Sequence, residues 1–174
     1  MVGENQSLMP TTKESNTPWE TALVRSIEVA RIVLCASGVG LGYSGLYTEF
    51  SACVVFSLAG ITAIESLLMG ELSARDKGWP VGSPYQAQGG LNLLATTVVY
   101  AVLLGVGSGD AALAALTAAV VGFIVASGGN HVVQELRARA KGEDAHSIHY
   151  CRAFGSLALA AAAIPVLVFW GALG

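Results

Sequence analysis

The chain has 174 residues, of which 53% are hydrophobic and 12% charged, with a formal net charge of −3 and a mean hydropathy of +0.61. Ordinary soluble domains carry charge on roughly a quarter of their residues, so this composition excludes that class. An acidic balance with no basic stripe outside the loops also excludes a nucleic-acid binder.

Met1–Pro18 is polar and rich in Thr, Ser, Asn and Glu, the composition of a disordered arm. It lacks the basic and then apolar order of a signal peptide. Residues 1–20 are therefore expected to be a cytoplasmic arm and residues 21–174 a single bundle. Five apolar runs follow, at roughly Val29–Tyr47, Phe50–Met69, Asn92–Gly107, Ala111–Gly129 and Ala153–Leu173. Each approaches the ~20 residues that cross a hydrocarbon layer. The expected fold is thus all-α, a compact bundle of five transmembrane helices in the lipid bilayer.

Charge sets the expected orientation. Lys13, Arg25, Arg31, Arg75, Lys77, Arg137, Arg139, Lys141 and Arg152 fall in the N-terminal arm, the second–third connection and the fourth–fifth connection. The opposite connections, Thr48–Glu49 and Gly107–Asp110, carry none. Positive charge is retained in the cytoplasm. The chain is therefore read as a multi-pass cell-membrane protein with N-terminus cytoplasmic and C-terminus outside. The first run bears Arg25, Glu28 and Arg31 at its start, and an interfacial N-terminal helix with four spans is the rival arrangement. Its glycines Gly38, Gly40, Gly42 and Gly45 supply small-xxx-small frames for close helix approach.

The second run holds Glu65, about six residues inside an expected end at Glu71. An acid at membrane depth costs on the order of 3 kcal/mol and faces a bundle interior. It reads either as a proton-transfer group or as an acid tied to a neighbouring amide or arginine. Ahead of the third run, Ser83-Pro84-Tyr85-Gln86 reads as a helix start, with Ser83 the N-cap, Pro84 at N1 and Gln86 closing a capping box. Gln88 and Asn92 step from there into the apolar zone on one face. The fourth run closes with Ser127-Gly128-Gly129-Asn130-His131 and then Gln134 and Glu135. His131 and Glu135, one turn apart, suit acid/base work or a metal. His146 and His149 are read as solvated loop residues with no cysteine beside them, so no metal is expected. Cys35, Cys53 and Cys151 lack ligand spacing and read as packed thiols. Pro165 is expected to kink the last helix.

Glu65, Gln88, Asn92, Asn130, His131 and Glu135 all fall in the cytoplasmic third of their runs, with Arg152 opening the last helix at the same level. A shared pocket is the expected consequence.

Gly78-Trp79-x-x-Gly82-Ser83-Pro84-Tyr85-Gln86-x-Gln88, then Asn92 and Asn130-His131, resembles the signature of a family. It is that of uncharacterised small integral membrane proteins of bacteria and fungi, marked by G-W-x-x-G-S-P-[FY]-Q. The resemblance covers roughly Glu65 to Pro165. Its Arg-Pro at the last helix is only half present, as Arg152-Ala153. It implies a compact helical membrane protein and no particular activity.

Two classes of function remain. One is a cofactor-independent acid/base enzyme of isomerase or cyclase type acting on a lipophilic small molecule. There Glu65, His131 and Glu135 would be catalytic, and Trp79, Tyr85, Gln88, Asn92, Asn130 and Arg152 would contact substrate. The other is a non-catalytic accessory subunit or ligand carrier of the membrane. A transporter is disfavoured, because the polar belt is one-sided and no inverted repeat is visible. No cofactor motif is present.

Overall fold

The computed structural model describes residues 15–77, 81–142 and 147–173. Among them the chain is all-helical, with six helices: α1 (Pro18–Tyr43), α2 (Tyr47–Leu68), α3 (Gly70–Lys77), α4 (Pro84–Gly105), α5 (Asp110–Ala140) and α6 (Ser147–Leu173). Four stretches are long and apolar enough to cross a membrane: Tyr47–Leu68, Pro84–Gly105, Asp110–Arg137 and Phe154–Gly171. These correspond to the last four apolar runs of the sequence.

The helix ends differ from expectation in instructive ways. α1 starts at Pro18, inside the segment read as an arm, because Thr17 and Glu20 form a start signal. The Thr17 N–H and hydroxyl both donate to the Glu20 carboxylate, at 2.8 and 2.7 Å. α2 ends at Leu68 and not at Glu71. Met69 leaves helical geometry at φ −126° and ψ 22°, and Gly70 opens a separate short helix. α5 runs past the end of its apolar stretch at Gly129 and continues to Ala140. α6 begins at Ser147, so His149 lies in a helix and not in a loop. His146 lies outside the described residues.

α2 is the central helix, buried against α1, α4 and α5, while α5 packs most extensively on α6. Small residues set the spacing, as expected where no water drives helices together. A Cβ at Gly38 would sit 2.5 Å from the Cys53 Cβ, and one at Gly42 would sit 2.5 Å from Val166 Cγ1. Gly40, on the other face, has nothing within 4 Å. Gly45, between α1 and α2, adopts φ +81°, a conformation that side-chain-bearing residues rarely reach.

Midway along α2, Phe56–Ile61 winds as a π-helix. Such segments recur where a helix must present its side chains on a shifted face. Beside it a chain of hydroxyls crosses three helices. Tyr100 donates to Ser51 at 2.7 Å, Ser51 pairs with Thr117 at 2.7 Å, and Thr117 bonds the Leu113 carbonyl at 2.7 Å. All three side chains are buried, so each polar atom finds its partner inside the bundle. Pro165 sits inside the continuous helix α6, and just before it the Ala162 carbonyl accepts from the Tyr43 hydroxyl at 3.1 Å, joining α1 to α6.

Candidate functional site

Glu65 is 1% exposed and lies in the last turn of α2. The break at Met69 sends α3 back past it, which delivers Ser73 and Lys77 from one face of α3. The Glu65 Oε1 accepts from both the Lys77 ammonium and the Ser73 hydroxyl. Its Oε2 accepts from Arg31 Nη1 of α1 at 3.1 Å. The same guanidinium nitrogen donates to Thr62 Oγ1 at 3.1 Å, and Arg31 Nη2 stands 3.9 Å from Glu28. Two acids and two bases thus form one balanced cluster that joins α1, α2 and α3. Arg25 and Asp76, 3.5 Å apart, add a second link at the same end. The sequence marks Glu65 as a buried acid. It does not mark Lys77 and Ser73 as its partners, because those depend on where α2 stops.

A second feature is an open groove of about 680 Å³ between the end of α2, α3 and the start of α4. Leu67, Leu68, Met69, Leu72 and Ala87 line its apolar wall, and Glu20, Glu71, Arg75, Ser83 and Gln86 its polar lip. Glu65 does not line it, although Ser66 and Leu67 beside it do. Gly90 lets α4 approach α2 at the inner end, where a Cβ would meet Ser66 and Leu67 at 3.0 Å.

Ser83 and Pro84 hold the predicted N-cap and N1 places, but the capping box does not form. The Ser83 side chain makes no capping bond, and Gln86 Nε2 donates instead to the Gly70 carbonyl at 2.8 Å. The glutamine thereby ties α4 to the start of α3, across the floor of the groove.

His131 and Glu135 are both buried on α5, 7% and 0% exposed. Glu135 Oε1 accepts from Arg139 Nε at 3.0 Å, while its Oε2 is buried without a hydrogen-bond partner. No group of three or more His, Cys, Asp or Glu suited to a metal occurs among the described residues.

The structure does not gather the expected residues into one pocket. Gln88, Asn92 and Asn130 are exposed, with Asn130 accepting only a 3.5 Å contact from Gln134. Tyr85 is 81% exposed, outside the groove. Amides at matched depth face outward here because depth along a helix does not fix the direction around it. Trp79 and the side chain of Arg152 lie outside the described residues.

Glu20, in the first turn of α1, lies outside the apolar stretch of that helix. The Thr17 N–H and hydroxyl that bond it hold its carboxyl below the usual range. Comparison with protein-family models, curated proteins and solved structures finds no match to this chain.

Proposed function

We propose that this chain is a multi-pass membrane protein that holds an amphiphilic small molecule in the groove between α2, α3 and α4, as a carrier and not as an enzyme. The observation that carries this reading is the groove itself. An apolar wall from the end of a membrane-length helix runs into a lip bearing Glu20, Glu71 and Arg75. Glu71 and Arg75 pair with each other at 3.3 Å and Glu20 stands beside them, a mixed-charge lip that a zwitterionic head can join with its cation toward the acids and its anion toward the arginine. Glu65, the group best suited by depth to move a proton, has both oxygens engaged and does not line the groove.

Native mass spectrometry of the full chain, released from nanodiscs of mixed phosphatidylethanolamine and phosphatidylglycerol, tests the reading. Retained phosphatidylethanolamine should predominate, and Ala87→Trp, which fills the groove, should reduce it about tenfold. Equal retention in the filled variant would count against the groove as the site.

A catalytic reading keeps one specific observation in its favour. Glu135 presents a buried, unpartnered carboxylate oxygen one turn from a buried histidine, an arrangement suited to acid/base chemistry on a lipophilic substrate. Under it, a conversion of a lipophilic substrate would be lost in His131→Ala while the groove-filling variant stays active.

We read the bundle as five spans, with α1 the fifth, its N-terminus cytoplasmic and the C-terminus outside. The support is that α1 runs alongside α2 in glycine contact and brings Arg25 and Arg31 to the acids at the end where α2 meets α3. The signature around Gly82-Ser83-Pro84-Tyr85-Gln86 builds the groove's lip on this reading. It would mark a family that shares the groove.

A further inference from the structure

Of the four membrane-length helices, α4 is the least covered, with 17% of its apolar window buried. Its uncovered side is not uniformly apolar. Gln88 and Asn92 lie four apart on one face, both exposed, and neither side chain has a hydrogen-bond partner among the described residues. Hydroxyls on the same helix behave differently. Thr96 and Thr97 donate back to the carbonyls of Asn92 and Leu93, at 2.9 and 2.8 Å. A hydroxyl satisfies itself on its own helix in this way, whereas a carboxamide has two N–H donors and an acceptor oxygen to place.

By helical rise Asn92 lies about 12 Å from the Pro84 end of α4, within the stretch Pro84–Gly105 that is long and apolar enough to cross a membrane. An unpaired amide at that depth is costly. The surface around it also permits close approach. Ala95 is exposed on the same face, and a Cβ at Gly89 would meet nothing within 4 Å.

We infer that the Gln88–Asn92–Ala95 face of α4 is where a second copy of this chain docks. Both copies share one orientation in the membrane, so the two-fold axis lies along the membrane normal and Asn92 meets Asn92 at equal depth. An amide is donor and acceptor at once, so identical amides satisfy each other across that axis. A lipid chain offers neither group, and an apolar partner helix would leave both amides unpaired. Gln86 and Gly90, which meet α3 and α2, lie on the other side of α4. The inference rests on the amides of α4 and not on what the groove holds.

Cross-linking in membranes tests it on the full chain. Ala95→Cys, oxidised with copper phenanthroline, should give a disulfide-linked dimer above the baseline set by the three native cysteines. Val168→Cys, exposed on α6, should stay at that baseline. In parallel, dye-labelled protein in supported bilayers should bleach in two steps. The double variant Gln88→Leu/Asn92→Leu should lower the two-step fraction at least fivefold. No cross-link at position 95, equal cross-linking at 168, or an unchanged two-step fraction in the double variant would overturn the inference.

Discussion

Glu65 accepts from a lysine, a serine and an arginine, and that saturation decides how its substitution must behave. Removing one partner of a buried pair leaves uncompensated charge and costs on the order of 3–5 kcal/mol. Glu65→Gln should therefore lower thermal stability in bicelles by about that amount. Lys77→Met in the same chain should restore part of it, since Arg31 keeps Glu28 nearby. A Glu65→Gln protein of unchanged stability would show that the cluster is not holding three helices together. Glu20 behaves differently, because it is solvent-facing and its carboxyl is held low by Thr17. A depressed carboxyl stabilises above the unfolded value and loses that contribution as pH falls through the folded one. The protection of the first-turn amides of α1 from hydrogen exchange, taken relative to their intrinsic rates at each pH, should accordingly fall as the pH drops below the ordinary carboxylate range. Glu20→Gln should show that low protection at every pH.

Close helix contact turns on single glycines, and the three in α1 are not equivalent. Gly38→Ala drives a Cβ against the Cys53 Cβ, a rigid neighbour, and should cost about 1–3 kcal/mol as α1 and α2 shift apart. Gly40→Ala meets open space and should be neutral or stabilise by up to about 1 kcal/mol through helix propensity. The melting temperature should fall in Gly38→Ala and should not fall in Gly40→Ala. Sequence periodicity marks such glycines as candidates and cannot tell which of them faces a neighbour. The same distinction separates what was legible elsewhere. Apolar runs of membrane length located four helices, because burial in lipid leaves little freedom in composition. Their ends were less legible. The fourth apolar run closes at Gly129, yet α5 continues to Ala140, with Arg139 bonded one turn back to Glu135. Glu65, His131 and Glu135 were found as buried groups, since charge or imidazole inside an apolar run is rare. Gln88, Asn92 and Asn130 matched them in depth but face outward, and the partners of Glu65 hinge on a break at Met69 that no hydropathy pattern announces.

At the scale of the whole molecule the open choice is between five spans and four, and α1 decides it. Its 26 residues reach about 39 Å, enough to cross a bilayer, although Arg25, Glu28 and Arg31 keep its first half from reading as a span. Those charges are not left in lipid, because Arg25 meets Asp76 and Arg31 meets Glu65. Asn16 adds a bond to the Leu72 carbonyl at 2.8 Å, fixing the start of α1 beside α3. At its far end, Gly42 packs on Phe50 and Val166, and the chain turns directly into α2. A helix bound at one end to the exit of α2 and at the other to its entry lies alongside the whole length of α2. Ser15→Cys and Gly109→Cys distinguish the two arrangements, each probed in intact cells with a membrane-impermeant maleimide. With five spans, position 109 labels from outside and position 15 only after the cells are opened. Lys141→Cys, in the loop after α5, should follow position 15. If positions 15 and 109 both label from outside, α1 lies along the outer surface and the four-span arrangement holds.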